Sequence, residues 1–315
     1  MSSLTHTPHV PVLLDAVVEA LQPAGHKTYV DCTVGLGGHA QAILEACGPS
    51  SRLIGLDRDT ESLAIVQERL HHYGPRWIGI YAPFDHLSHV LRTLEITSVD
   101  GILFDLGFSS YQIDSPQRGM SFRHEAKLDM RFDRSASIPT AWDYVNRASP
   151  EKLEHIFRVY GEAPAAKRLA SAIVQQRRLG PIDTTSQLAQ VITKELPHHF
   201  GIHPATQIFQ ALRIAVNDEL GQLQRALQQA ATALAPRGRL VAISFHSLED
   251  RIVKRFFLRE ASQCICPPEL PNCQCAHHAS LRIVTKHPIF ASSAEINDNH
   301  RARSARMRVA ERLGE

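Results

Sequence analysis

No apolar stretch in this sequence approaches the roughly 20 residues needed to cross a bilayer. The longest, such as Leu240 to Ile243 or Val10 to Leu14, end after a few positions. The start, Met1 to Val10, lacks a basic segment followed by a long apolar one, so no export signal is expected and a cytoplasmic location is. A dominant charge is missing as well: 34 basic against 32 acidic residues leave +2, too little to name a partner. There is no internal repeat and no low-complexity tract. Six cysteines in a chain without an export signal do not make a disulfide framework, and four of them crowd between Cys264 and Cys275. What remains is a globular composition, 43% hydrophobic and 21% charged. At 315 residues the chain suits one large domain or two interleaved ones.

Of the basic residues, 27 are Arg and 7 are Lys. Guanidinium forks match phosphate oxygens, although a GC-rich genome gives the same bias. Over the first hundred residues, short β-branched runs alternate with amphipathic stretches, the signature of βαβ units and a parallel sheet. Strands are expected at Thr28 to Thr33, Arg52 to Asp57, Trp77 to Tyr81 and Gly101 to Asp105, and helices at Ala40 to Ala46, Thr60 to His71 and Phe84 to Leu94. The alternation then stops. A polar, Arg-rich stretch, Ser115 to Arg134, leads into helical patterns at Glu151 to Tyr160, Ala165 to Arg178 and Ser186 to Glu195. This reads as a helical domain inserted into the sheet domain, with 1–112 and 203–315 forming the sheet part and 113–202 the insert. One long helix is expected from Pro204 to about Leu234, then a buried strand Arg239 to Phe245 and a helix Leu248 to Arg259. Leu281 to Thr285 and Ala305 to Ala310 would close the sheet as a terminal hairpin, for about seven strands.

Asp31-Cys32-Thr33-Val34-Gly35-Leu36-Gly37-Gly38-His39-Ala40 follows the first strand, where an open α/β sheet places its ligand. Gly35, Gly37 and Ala40 fit the weak G-x-G-x-x-G/A fingerprint of dinucleotide binding. Asp57 ends the second strand, where a carboxylate accepts ribose hydroxyls. NAD and S-adenosylmethionine both satisfy that pattern. Asp31 favours the second, because a carboxylate there would repel a pyrophosphate but attract an ammonium and a sulfonium. Asp105 ends the fourth strand on the same edge, with Leu106-Gly107-Phe108-Ser109-Ser110 after it. It is placed to orient an exocyclic amine acceptor, and a cofactor contact or a loop cap is an equal alternative. His246, within Ser244 to Asp250, either lines this site or serves the structure.

His9 to Leu14, Asp31 to His39, Asp57-Arg58-Asp59, Gly101 to Ser110, Arg118 to Phe122, Leu128 to Arg131, His203 to Thr206 and Ser244 to Lys254 together resemble the RsmH (MraW) family. The likeness runs in order over nearly the whole chain. It implies an α/β, Rossmann-like class I S-adenosylmethionine-dependent methyltransferase fold with an all-helical, RNA-holding insert. The implied activity is methylation of N4 of a cytidine in bacterial 16S ribosomal RNA, near the decoding centre. Carried over position by position, the cofactor contacts fall on Gly37, Gly38, His39, Asp57, Phe84, Asp105 and Gln112, with Phe84 as an adenine wall. The chain departs from the family pattern at Cys32 and Val34; neither change removes a ligand group. A cytidine must be splayed out to expose N4, and Phe108, Tyr111, Phe245 and His246 are the candidates to stack on it. Arg118, Arg123, Arg131 and Arg134, with Arg301, Arg303, Arg306 and Arg308, are the candidates for phosphates. The partner would be small-subunit ribosomal RNA or the small ribosomal subunit, with no membrane, and the chain a monomer or homodimer. A dinucleotide-dependent oxidoreductase and a non-catalytic RNA-binding factor of the same fold are the alternatives. Cys264, Cys266, Cys273 and Cys275 fit a structural zinc, reduced free thiols or a redox disulfide.

Overall fold

A computed structural model describes residues 11–107, 115–196, 203–267, 269–270 and 272–314. Two compact units divide the chain, 1–107 with 220–315 and 108–219. The first unit carries one seven-stranded sheet in the order β3-β2-β1-β4-β5-β7-β6. Its strands are β1 (Thr28–Asp31), β2 (Arg52–Asp57), β3 (Trp77–Tyr81), β4 (Val99–Asp105), β5 (Leu234–Ser244), β6 (Leu281–Ile283) and β7 (Arg306–Arg312). Neighbours from β3 through β5 pair in parallel, and β7 runs antiparallel to both β5 and β6.

Both faces of the sheet are covered, so its strands read as near-continuous apolar runs. The pleat sends Val30, Ile54, Ile102, Phe104, Leu240 and Ala242 into one core. Their chain neighbours Tyr29, Leu53, Leu103, Val241 and Ile243 enter the other. Helices α1 (Leu14–Leu21), α2 (Gly38–Ala46) and α3 (Thr60–Leu70) bury Val17, Leu21, Ile43, Leu44, Val66 and Leu70 in the second core. Helix α4 (Leu87–Thr93) buries Leu87, Val90 and Leu91 in the first. The pattern at positions 14, 17 and 21 makes α1 an amphipathic helix that the sequence reading passed over.

The second unit is helical: α5 (Ala141–Arg147), α6 (Pro150–Val159), α7 (Ala166–Leu179), α8 (Thr185–Glu195) and α9 (Pro204–Asn217). Start signals are explicit. Thr140 with Asp143 and Thr184 with Gln187 form capping boxes, and Ser149 caps α6 ahead of Pro150. The helix expected from Pro204 to Leu234 is two helices, α9 and α10 (Glu219–Ala233), broken at Asp218, whose φ is 47°. Asp tolerates that left-handed conformation. The break is fixed on both sides. Asn217 is buried and fully used, donating to the Met130 and Arg213 carbonyls and accepting from the Phe132 N–H, and Arg213 grips Glu219 through two hydrogen bonds of 2.8 and 3.0 Å. Ala205, Ile208 and Leu212 of α9 pack with Leu153, Phe157 and Leu169 of α6 and α7. The return to the sheet unit therefore comes at Leu220 and not at 203.

Finally, α11 (Ser247–Glu260) follows β5 and α12 (Ser293–Asp298) precedes β7. Leu281 to Ile283 and Arg306 to Arg312 pair antiparallel, as expected, but with α12 between them instead of a tight turn.

Candidate functional site

The strand order reverses at β1: β2 and β3 lie on one side of it, β4 and β5 on the other. Ligands of open α/β sheets bind at such a switch point, beyond the carboxyl ends of the strands. In this chain those ends carry acids. Asp31 ends β1, Asp57 ends β2 and Asp105 ends β4, and parallel pairing places them on one edge.

Thr33 ties the two sides of the switch point together. Its hydroxyl accepts from the Asp105 N–H at 2.7 Å, and its own N–H donates to Asp31 Oδ1 at 3.1 Å. The sequence reading passed over Thr33 because a hydroxyl between two motif residues carries no signal of its own. Asp57 organises the glycine loop, with Oδ2 accepting from the Gly35 N–H at 2.9 Å and Oδ1 from the Asp59 N–H at 2.8 Å. Gly35 and Gly37 adopt φ of +50° and +80°, which disfavours any side chain. A Cβ on Gly37 would collide with Val66, and one on Gly38 with Pro11. At these two positions glycine serves the packing of the loop, whereas a Cβ on Gly35 would meet only the Thr33 carbonyl, at 3.9 Å.

His39 is 5% exposed. Its Nε2 lies 2.9 Å from the Val12 carbonyl, and its Nδ1 lies 3.5 Å from Asp105 Oδ2. The carbonyl can only accept, so Nε2 carries a proton, and Nδ1 meets Asp105 Oδ2 through a shared proton, donated by a neutral carboxyl or by the ring as imidazolium. The His39 ring thus positions Asp105, and the other oxygen, Asp105 Oδ1, is buried without a hydrogen-bond partner among the described residues.

Burial dominates the electrostatics of these carboxyls, with Arg58 opposing it only weakly at Asp57. Burial lifts Asp31 to about 7, with the charge of Asp57 adding to it. Burial likewise lifts Asp57 to about 6. Asp105 is raised well above the carboxylate range, first by burial and then by the charges of Asp31 and Glu249. Glu249, 3% exposed, was read only as part of a motif. It accepts the Phe245 and His246 N–H groups at the start of α11. A buried acidic cluster of this kind is complementary to a cationic ligand.

A pH dependence follows. Carboxyl groups whose pKa is raised on folding bind more protons in the folded chain than in the unfolded one. Stability therefore falls as pH rises, by up to about 1.4 kcal/mol per pH unit for each titrating group. Without ligand, the thermal midpoint should drop between about pH 4 and 7, the span from the ordinary carboxylate range up to the raised values, and Asp31→Asn should drop less by a few degrees. Equal slopes in the two proteins, measured by scanning fluorimetry, would contradict the assignment.

The remaining expected site residues divide. Phe84 sits half-buried in a short 3₁₀ turn (Phe84–His86) after β3, edge-on to Phe104 at 5.9 Å. Phe245 is half-buried against Gly107. His246 caps α11 in a capping box with Glu249, and its Nε2 lies 3.1 Å from Glu249 Oε1, so a structural duty accounts for it. Phe108, Tyr111 and Gln112 lie outside the described residues. Two arginines expected on phosphates are committed within the second unit. Arg118 is 2% exposed and donates to the Phe132 carbonyl at 3.0 Å. Arg131 forks onto Asp129 at 2.7 and 3.0 Å and donates to Ala136. A buried guanidinium needs these partners, and composition does not reveal whether an Arg has them. Arg123 is exposed. Arg134 is 44% exposed, 3.9 Å from Asp129. Arg308 is buried on Asp250 at 2.6 and 3.1 Å, another correction to the expected phosphate contacts.

A parallel sheet with one antiparallel strand, ordered 3-2-1-4-5-7-6, and acids at the ends of β1, β2 and β4 define a class I methyltransferase fold. Comparison with known proteins narrows this. The chain belongs to the MraW methylase family, whose model matches residues 6–313. Among curated relatives, a ribosomal RNA small subunit methyltransferase H from Nitratidesulfovibrio vulgaris is 47% identical over 313 residues, covering 98% of this chain and 87% of the relative. Its namesake from Geobacter sulfurreducens is 48% identical over 309 residues, covering 97% and 99%.

Proposed function

We propose that this protein transfers a methyl group from S-adenosylmethionine to N4 of a cytidine in bacterial 16S ribosomal RNA, in the cytoplasm where small subunits are assembled. The observation that carries the cofactor assignment is the buried acid cluster, in which Asp105 Oδ1 has no hydrogen-bond partner among the described residues. It suits a ligand bearing an ammonium and a sulfonium and opposes a pyrophosphate, so nothing favours the oxidoreductase alternative. Asp57 would take the ribose hydroxyls through the lone pairs its two N–H donors leave, Phe84 would wall the adenine, and Asp31 would face the cationic end. When bound, S-adenosylmethionine supplies an electrophilic methyl on sulfur. The chain's own contribution is alignment and charge. Asp105 accepts a hydrogen bond from the exocyclic amine, stabilises the positive charge that develops there, and holds the proton the amine loses. His39, anchored by Val12, keeps the Asp105 carboxyl oriented.

Family membership carries the substrate class, since the curated relatives are named for small-subunit ribosomal RNA. The helical unit is our candidate RNA holder, with Arg123 and Arg134 as its phosphate contacts and with Arg118 and Arg131 as internal ties. No helix among the described residues is long and apolar enough to cross a membrane.

Small subunits from cells lacking this protein, incubated with it and S-adenosylmethionine, should gain methyl on cytosine N4 in nucleoside mass spectra. Methyl only on C5, a ribose 2′-oxygen or adenine would overturn the substrate. In the same assay Arg123→Gln with Arg134→Gln should weaken RNA binding and flatten its salt dependence. An unchanged slope would remove the helical unit's RNA role.

A further inference from the structure

Between α11 and β6 the chain runs through a segment with almost no apolar cover. Ile265 is 39% and Leu270 42% exposed, and most described residues there are exposed. Its base is tied to the sheet unit. Ser280 donates to the Glu260 carbonyl at 2.8 Å and to the Glu260 carboxylate at 2.6 Å, and a ring nitrogen of His277 lies 2.9 Å from the Arg259 carbonyl. Nevertheless the sulfurs of Cys264, Cys266, Cys273 and Cys275 all lie within 4.8 Å of one another. Bringing four side chains to one point in an exposed loop costs conformational entropy, and hydrophobic burial does not offset it here.

The geometry selects among the three readings of these cysteines. Sγ separations are 3.4 Å for Cys264 and Cys273, 3.6 Å for Cys273 and Cys275, and 3.8 Å for Cys264 and Cys275. A disulfide needs about 2.05 Å, and no pair is bonded. A tetrahedral zinc with Zn–S near 2.3 Å sets its sulfurs about 3.8 Å apart. Backbone N–H groups also point at sulfur: Cys266 to Cys264 Sγ at 3.4 Å, Ile265 to Cys275 Sγ at 3.5 Å and Gln274 to Cys266 Sγ at 3.3 Å. Such donors stabilise the thiolates a metal requires.

We propose that Cys264, Cys266, Cys273 and Cys275 form a closed structural zinc site, filled by one Zn²⁺ per chain, that locks the α11–β6 connection. Four thiols each give up a proton to solvent and four thiolates fill the metal's coordination sphere. No position is left for water or substrate, so the ion takes no part in methyl transfer, and its effect is on the fold.

Elemental analysis of untagged protein expressed in zinc-supplemented medium should give one zinc per chain. Cys273→Ser with Cys275→Ser should lower that content at least tenfold, whereas Cys47→Ala, which changes a buried thiol elsewhere, should not. Should the double variant fail to fold, the wild-type chain stripped of zinc and titrated with Co²⁺ still decides: one equivalent should produce the thiolate charge-transfer and visible bands of a tetrahedral tetrathiolate. Wild-type protein with no metal and four titratable thiols in this segment would overturn the site. So would an intact mass two or four hydrogens light, which marks disulfides, or a Co²⁺ titration without those bands.

Discussion

Asp105→Asn should slow methyl transfer at saturating S-adenosylmethionine by about a hundredfold or more, the range seen when one preorganised electrostatic group is lost from a dry site, with RNA binding nearly unchanged. Asn is isosteric and keeps one acceptor, so the change isolates charge and proton capacity. In the free protein the Asp105 carboxyl shares its surroundings with Asp31 and Glu249 and is held high, with Oδ2 turned to His39 and Oδ1 without a partner among the described residues. A cation bound against the cluster favours the ionised form, so the cofactor itself readies Asp105 to accept from the amine. Single-turnover rates separate the roles. A saturated rate within a fewfold of wild type, with a raised cofactor requirement, would make Asp105 a cofactor contact and not the acceptor of the amine proton.

The parts of this arrangement that were legible in the sequence are those set by chain-local rules. Alternating apolar runs place β1 to β4, and an acid at the end of a run followed by glycines marks the edge where a ligand belongs. Legibility ended where distant residues decide. The break at Asp218 depends on Asn217 reaching Met130 and Phe132, which no window around Asp218 contains; the apolar period runs through it undisturbed. Arg118, Arg123 and Arg131 look alike in a polar stretch, yet only Arg123 is exposed, because Phe132 and Asp129 claim the other two. His246 drew attention as a histidine at a strand end, but its spacing to Glu249 is that of a capping box. The same spacing brings Glu249 to the site as a charge felt by Asp105. Glycine was the subtler case. A Cβ on Gly37 would meet Val66 and one on Gly38 would meet Pro11, a packing demand for glycine that spacing along the chain does not show.

Asp57→Ala should weaken S-adenosylhomocysteine binding by at least tenfold, and by about a hundredfold if two ribose hydroxyls are lost. Hydrogen bonds to a charged acceptor are worth about 1.5–3 kcal/mol each, and each 1.4 kcal/mol is a factor of about ten in affinity. Part of the effect is internal, because Asp57 also holds the Gly35 N–H at 2.9 Å and the Asp59 N–H at 2.8 Å. Removing the carboxylate frees the loop as well as the ligand. Two measurements tell these apart. S-adenosylhomocysteine bears the 2′- and 3′-hydroxyls, so comparison with its 2′,3′-dideoxy analogue reports only the ribose contacts: wild type should discriminate strongly and Asp57→Ala hardly at all. Thermal midpoints without ligand report only the loop. There, the lost backbone hydrogen bonds are opposed by relief of a buried carboxyl whose pKa stands at about 6, so at pH 8, where ionising that group is most costly, the variant should lose little stability. Discrimination that survives in Asp57→Ala would move the ribose contact off β2 and leave Asp57 as the fastening of the glycine loop alone.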